Sequence, residues 1–400
     1  MMRLQLPRAG RSGYGAPAVG AGLALLVLLP LFGASRYWLV LGMQVWVLAA
    51  YAYSYQLLFG RAGMLSFGHA VYFGLGAFAA AHALNSRALA AMGLPVEMIP
   101  LIGMLAGLGA AVVFGFPSTR RAGTPFAMVT LGIGELVAAC FLMFPGFFGG
   151  EAGISTNRAA LGGWVAANYG AADRAYVLIA LWALALGAMA LWIARTPLGL
   201  LARATRDNAA RLAFCGIEPS AVRFRLMLVA GALAGAAGAL STLLNEIVSV
   251  ESVSLAMSAN VLLMTVVGGP AHAFGPLLGA LTLTLMQSVL SRFTHAWVFY
   301  YGLMFILTVL FAPNGLTGIV SDVLRNARQL GAGGMARRYG APVAAALLAG
   351  LLAIGTIEIA FFRDEGIGAA RVFPAWGAAG LSLGCLAALL WLRRSLRGLA

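Results

Sequence analysis

The sequence predicts an all-α integral membrane protein: about 10 core transmembrane helices, two further C-terminal ones, and both termini on the cytoplasmic side. Three observations predict it. The first is composition: 62% of the 400 residues are hydrophobic and 10% charged, with a mean hydropathy of +0.91. Soluble domains run at about 45–50% apolar and about 25% charged, so the excess apolar area must face lipid. The second is that apolar residues come in stretches close to the ~20 needed to cross the hydrocarbon layer. The third is the basic residues, all 26 of them arginine, which lie scattered between those stretches. That pattern sets membrane orientation and does not make a nucleic-acid face.

In chain order, helices are expected near 18–34, 37–59, 63–84, 94–116, 124–144 and 175–194. A long polar interval follows, then 226–245, a short 256–269, 276–291 and 297–312. Beyond a second polar stretch come 341–361 and 374–392. The segments 63–84 and 256–291 are rich enough in glycine to be broken or re-entrant. The organisation expected is a cytoplasmic segment over 1–17, a membrane domain over 18–320 with a cytoplasmic loop at 195–225, a basic linker over 321–340 and a two-helix extension over 341–400.

Starting inside and alternating puts 19 arginines on the inner side and 7 on the outer. Short cytoplasmic loops are enriched in Lys and Arg, so the count supports this topology. Among the acids, only Asp207, Glu218 and Asp322 fall inside. The first stretch follows a basic segment and has a second reading as a cleaved signal peptide. It lacks a clear cleavage site, and the next helix follows almost at once.

Cys140, Cys215 and Cys385 are far apart, and the four histidines are scattered. No metal-ligand spacing, CxxC or HExxH arises, so no metal site is expected.

The loop RTPLGLLARATRDNAARLAFCGIEPSAVRFR (195–225) is the most informative polar stretch. Thr196 suits an N-cap and Pro197 the first helical position. Gly216 suits a C-terminal stop, with Pro219 just beyond. Leu198, Leu201, Thr205 and Leu212 fall roughly on one face. Arg203, Asp207 and Arg211 share another at i, i+4 spacing, worth about 0.2–0.5 kcal/mol per pair. A capped, amphipathic, cationic helix results. By composition alone it lies on anionic lipid or docks a partner equally well.

TPLGLLARATRDN…GI, followed by the Ala/Gly-rich LVAGALAGAAGAL, resembles the cytoplasmic loop of permeases in branched-chain amino acid ABC importers of the LivH/LivM type, closer to LivM. GRAGMLSFGHAVYFGLGAFAAA (60–81), TPFAMVTLGIGELV (124–137), GGEAGI (149–154), SANVLLMTVVGGPAHAFGPLLGA (258–280) and FAPNGLTGI (311–319) are similar to further blocks of that family, in the same order.

The resemblance implies a bacterial inner-membrane permease subunit that does no covalent chemistry. It implies a second homologous permease, two cytoplasmic ATPase subunits and an external solute-binding protein as partners, in contact with membrane lipid and without nucleic acid. The chain itself would bind no cofactor, with ATP and Mg on the ATPases. The solute implied is a branched-chain amino acid or a similar small polar molecule such as an amide or urea. Thr196, Pro197, Gly199, Arg206, Asp207, Asn208 and Gly216 match the family's loop and, with Arg203, are the coupling candidates. The family usually carries an acid after RDN, where this chain has Ala209. It often carries Glu where this chain has Asn260.

An acid at mid-membrane costs about 2.5–3.5 kcal/mol, so Glu135 is expected to face the bundle interior or water. It either lines the path or links helices through a Ser, Thr or His. Ser66, His69, Thr130, Asn260, Gly268 and Gly269 are the other translocation-path candidates. Ser66 and His69 read first as a helix link, since no acid or oxyanion loop accompanies them. Gly268-Gly269-Pro270 must break regular helix and reads equally as a pathway lining or a cytoplasmic turn. Gly103/Gly107, Gly231/Gly235, Gly275/Gly279 and Ser66/Ala70/Gly74 are close-packing patterns. Glu358, near the end of a C-terminal helix, is expected to snorkel to the interface.

In the outer loop 145–174, Gly149, Gly150, Glu151 and Gly153 read as a flexible turn or as a docking surface for the binding protein. Two other classes remain on composition: an ion-driven secondary transporter, disfavoured by the loop helix and by the scarcity of membrane acids, and a membrane enzyme, which lacks a catalytic constellation.

Overall fold

The computed structural model describes residues 35–164, 168–291, 297–312, 314–319 and 321. The expected helices at 18–34, 341–361 and 374–392, the basic linker, Glu358 and the signal-peptide alternative lie outside them. The chain divides into two compact units, Met1–Thr284 and Leu285–Ala400.

Up to the unit boundary, the α-helices of more than five residues are α1 (Arg36–Gln56), α2 (Ala70–Asn85), α3 (Ile99–Ser118), α4 (Thr124–Met143), α5 (Ala172–Ile193), α6 (Pro197–Phe214), α7 (Pro219–Asn245), α8 (Leu255–Gly268) and α9 (Gly275–Leu285). A two-stranded antiparallel ribbon pairs β1 (Ile154–Ser155) with β2 (Ile247–Val248), a small exception to the all-α expectation. The second unit contributes a π segment, Met286–Leu290, and α10 (Trp297–Phe311).

Of the helix expected at 63–84, only the part from Ala70 onward forms. After α1 the chain winds into a wider π segment, Leu57–Ala62, and reverses at Gly63, whose φ of +66° favours glycine. Residues 63–69 then run without helical structure before α2 starts at Ala70. The helix expected from 226 begins at 219, because Pro219 takes its N1 position and Arg223 is accommodated. The Arg223 guanidinium is buried, and its Nε donates to the Thr119 carbonyl at 3.0 Å, just past the end of α3. A cation there offsets the negative end of that helix. The stretch expected at 276–291 is α9 followed by the π segment.

The core is built on glycine. α3 and α7 run antiparallel with their two GxxxG patterns facing each other, so that a Cβ at Gly107 would overlap the Gly231 carbonyl and one at Gly235 would overlap the Gly103 carbonyl. α2 joins them: a Cβ at Gly76 would meet the Gly235 backbone, and one at Gly238 the Phe73 carbonyl. Thr242 Oγ1 closes this three-helix contact by donating to the Ala77 carbonyl at 3.0 Å. With no hydrophobic drive between helices in lipid, such backbone approach supplies the packing.

A candidate translocation unit and its loop helix

Two interruptions in the membrane helices lie against each other, and the loop helix lies against one of them. The first is the stretch 63–69. Backbone that leaves a helix at membrane depth needs other partners for its polar groups. Here side chains from three helices supply them. Tyr55 Oη and the Ser66 backbone are 3.2 Å apart, with the Ser66 N–H donating to the oxygen and the hydroxyl aimed at the Ser66 carbonyl. Thr130 Oγ1 accepts from the Phe67 N–H at 3.2 Å while donating to the Ala127 carbonyl. Ser258 Oγ accepts from the Ala70 N–H at 2.9 Å, at the start of α2. Gly68 lies so close to α4 that a Cβ would overlap the Thr130 carbonyl.

His69 pairs with Ser54, not with Ser66. Its Nε2 is 2.9 Å from Ser54 Oγ, whose one proton is committed to the Tyr51 carbonyl at 2.6 Å. Nε2 is therefore the donor, by hydrogen-bond bookkeeping. The ring stacks on Tyr51 and meets Tyr55 and Tyr72 edge-on. His69 Nδ1, Ser66 Oγ and Tyr51 Oη are buried without a partner in the described structure.

The second interruption is at 269–274, between α8 and α9. Gly269 takes φ +111°, and a Cβ at Gly268 would overlap the Gly275 carbonyl, so the two helices fold back tightly. Asn260 is half-buried on α8. Gln56, at the end of α1, donates from Nε2 to the carbonyls of Pro270 (3.2 Å) and His272 (2.7 Å).

Glu135 does not face the interior of this chain's own bundle. It lies on the exposed side of α4, whose buried side carries Phe126, Thr130, Gly134, Val137 and Phe141. It makes no hydrogen bond or ion pair to another described residue, so the interior helix link does not form. The chain by itself leaves this acid uncovered.

α6 is capped at its end as expected. Gly216, at φ +76°, donates to the Ala213 carbonyl and Ile217 to that of Leu212, the paired bonds of a Schellman stop. Three details differ. Thr196 stands at the N-cap, but its hydroxyl donates back to Ile193 at 2.7 Å and caps nothing. Asn208 leaves helical geometry (φ −161°, ψ 97°), and its Oδ1 accepts from the Arg211 N–H, so it caps a second short helix within α6. That kink takes Arg211 out of register, and Asp207 forms no ion pair with Arg203 or Arg211 among the described residues.

The buried side of α6 is made of Gly199, Ala202, Thr205 and Leu212. Its exposed side presents Leu200, Arg203, Asp207, Arg211 and Phe214, the last 91% exposed. Arg206 reaches across to the π segment, Nη1 donating to the Gly60 carbonyl at 3.0 Å.

Comparison with known proteins decides between the classes left open by composition. The family model described as "Branched-chain amino acid transport system / permease component" matches residues 37–312.

The chain belongs to that family.

Relatives include the high-affinity branched-chain amino acid transport system permease protein LivM of Escherichia coli, 27% identical over 68% of this chain and 67% of the relative. LivM of Salmonella typhimurium is similar to the same extent. A probable branched-chain amino acid transport permease protein LivH of Methanocaldococcus jannaschii is 28% identical over 31% of this chain and 42% of its own length. No solved structure matches. As a member of this permease family the chain is a multi-pass membrane transport protein and no enzyme. Four described helices, α3 (with the preceding turn from Val96), α4, α5 and α7, are long and apolar enough to cross a membrane by themselves.

At the opposite end from α6 lies a feature that sequence reasoning missed. Arg158 is buried, its Nε donating to the Tyr169 carbonyl (2.9 Å) and Nη1 to that of Leu243 (3.1 Å), with Glu246 Oε2 at 3.9 Å. It caps the last turn of α7 and ties the ribbon to it. Within the loop, Gly149, Gly150 and Gly153 all have positive φ, and a Cβ at Gly153 would overlap the Val248 carbonyl. The glycines thus fix a defined turn beside the ribbon, with Glu151 exposed. An arginine isolated in a glycine-rich loop was the only signal.

Proposed function

We propose that this chain is a permease subunit of an ATP-driven importer of branched-chain amino acids, with α6 as the seat of a cytoplasmic ATPase. The observation that carries the reading is the uncovered side of α6, where Phe214 and Leu200 stand out among Arg203, Asp207 and Arg211. Large exposed apolar side chains ringed by charge are what a protein partner covers. The permease family and the LivM relatives support the solute class. In this reading the loop end of the bundle is cytoplasmic, as are both termini. The core of ten helices spans 18–320, and the linker 321–340 leads to a two-helix extension. A second homologous permease, two ATPases holding ATP and Mg, and an external solute-binding protein at the Gly149–Gly153 turn complete the assembly in the bacterial inner membrane.

The test is reconstitution with these partners in proteoliposomes. ATPase subunits are expected to co-purify, and leucine uptake to require ATP. Gly216→Val forces a β-branched residue into positive φ, about 1–3 kcal/mol of strain at the end of α6, and is expected to lower uptake about tenfold. Uptake without any ATPase, or its collapse by an ionophore at constant ATP, would favour an ion-driven carrier instead.

Glu135 gives a second test. In this reading the uncovered side of α4 faces the path shared with the second permease, because an acid facing lipid costs about 2.5–3.5 kcal/mol. Glu135→Gln is expected to cut leucine uptake about tenfold with assembly intact, one hydrogen-bonded charge's worth. Unchanged uptake would remove Glu135 from the path.

A further inference from the structure

We infer that Arg206 and Gln56 form a mechanical relay joining the loop helix to both interruptions in the membrane helices, so that the three shift as one. The inference rests on the docking role proposed for α6 and adds the route by which its displacement reaches the interior.

The π segment ends with an uncommitted acceptor. Its closing backbone bonds use the carbonyls of Leu58 and Phe59, accepting from Met64 and Gly63, and leave the Gly60 carbonyl to Arg206 Nη1 at 3.0 Å. A guanidinium on a terminal carbonyl is a charge-assisted bond at the negative end of a helix, among the stronger links available there. The arginine stem is seated as well: a Cβ at Gly63 would come 3.0 Å from Arg206 Cγ. On the other side of the same turn, a Cβ at Gly60 would lie 2.5 Å from the Pro270 carbonyl, so the two interruptions touch backbone to backbone. One helical turn earlier, both amide protons of Gln56 are committed across that contact, to Pro270 and His272.

The links are in series: α6 to Gly60, and the Gly60 turn to 270–272. Each uses a directional donor on a turn carbonyl, that of His272 also accepting from the Gly275 N–H, and each sits where the helix is already widened or broken. Wider π turns and helix breaks are where a helix yields at low cost. A push on α6 therefore acts on the two segments least able to resist it, while leaving the tight α2–α3–α7 contact undisturbed. The glycines at 60 and 63 allow the approach; the arginine and glutamine make it grip.

The experiment uses the assembled transporter with its ATPases and binding protein in proteoliposomes, with radiolabelled leucine as the probe. Arg206→Gln and Gln56→Met are each expected to lower leucine moved per ATP hydrolysed about tenfold. The ATPases should still co-purify with the Gln56→Met form, and Arg206→Lys should restore part of the ratio. Because the links act in series, the double variant is expected to be no worse than the worse single one; multiplicative losses, or a wild-type ratio in either single variant, overturn the relay. A second measurement needs no weakened protein. Spin labels at Ala210 and Ala271, with Cys140, Cys215 and Cys385 replaced, report the separation of α6 from the second interruption. The relay requires that separation to stay constant between nucleotide-free and ATP–vanadate-trapped states, and a change overturns it. If the unaltered assembly takes up leucine without ATP, the docking role of α6 fails; if coupling is intact but the separation changes, only the relay fails.

Discussion

Gly235→Val is expected to abolish recovery of folded protein from detergent. Three helices meet at this residue. A Cβ here would overlap the Gly103 carbonyl and stand 2.8 Å from the Gly107 Cα, while Gly76 presses on the Gly235 backbone from α2. Overpacking a core costs about 1–3 kcal/mol when side chains can move aside. Here the opposing atoms are backbone, so relief requires shifting a whole helix, and the cost belongs at or above that upper figure. Any protein that is recovered should unfold about 10 °C lower. Gly109→Ala and Gly132→Ala are the controls, since nothing lies within 4 Å of a Cβ at either position. Exchanging glycine for alanine inside a helix contributes about 1 kcal/mol of stability, so these two should melt at or above the unaltered midpoint. Size-exclusion profiles and thermal unfolding in one detergent decide the matter. Equal behaviour of Gly235→Val and Gly109→Ala would mean that the three-helix contact is not tight.

The second large effect is expected at Arg158. Its replacement by methionine leaves the carbonyls of Leu243, Tyr169 and Gly170 without their donor and removes the cation opposite Glu246. Breaking one partner out of a buried charged network costs about 3–5 kcal/mol. The estimate is taken at its lower end because the Glu246 side chain is 38% exposed and water screens it. Arg158→Lys should recover little, since an ammonium cannot reach carbonyls on both sides as the planar guanidinium does. The expected signature is local: faster limited proteolysis near the ribbon, while the α2–α3–α7 contact survives. Glu246→Gln should be far milder, because the carbonyls keep their donor. A methionine variant as protease-resistant as the parent would show that α7 ends securely without Arg158.

Much of the helical frame was legible because lipid imposes one rule: apolar residues in runs of membrane length. The nine membrane stretches expected between 37 and 312 correspond to helices, with shifts of a few residues. The exceptions have local causes. Gly216 announced the end of α6, since left-handed φ favours glycine there; in the sequence Pro219 reads only as lying beyond that stop, although its missing N–H suits the N1 position it takes in α7. Asn208 gave no such warning. Its kink is a side chain capping a backbone N–H three residues on, which asparagine in any polar loop is able to do. The i, i+4 charges were visible as spacing, but spacing holds only while the helix is continuous.

Glycine patterns showed that helices would approach closely without saying which. That Gly103/Gly107 meets Gly231/Gly235 is a fact of three-dimensional pairing. The same limit applies to the interruptions. Gly-rich composition at 63–84 and 256–291 signalled broken helices, yet the groups that satisfy them, Thr130, Ser258 and Gln56, come from distant segments. Arg158 and Arg223 read as ordinary loop arginines, and their burial on helix-end carbonyls follows from tertiary contact alone. Glu135 was expected to face the bundle interior or water; a single chain shows only that it is uncovered.

The unwound stretch 63–69 also has a consequence for the order in which the chain matures. The amide hydrogens of Phe67 within it and of Ala70 just after it find acceptors 63 and 188 residues further on, at Thr130 and Ser258. A ribosome delivers those residues long after 63–69 is made, and in the proposed topology this stretch enters the membrane before them. Until then this stretch cannot stand alone in hydrocarbon, since each unmatched amide there costs several kcal/mol. Biogenesis must shelter it, in the insertion machinery or in water at the interface, until the eighth helix arrives to latch it in place.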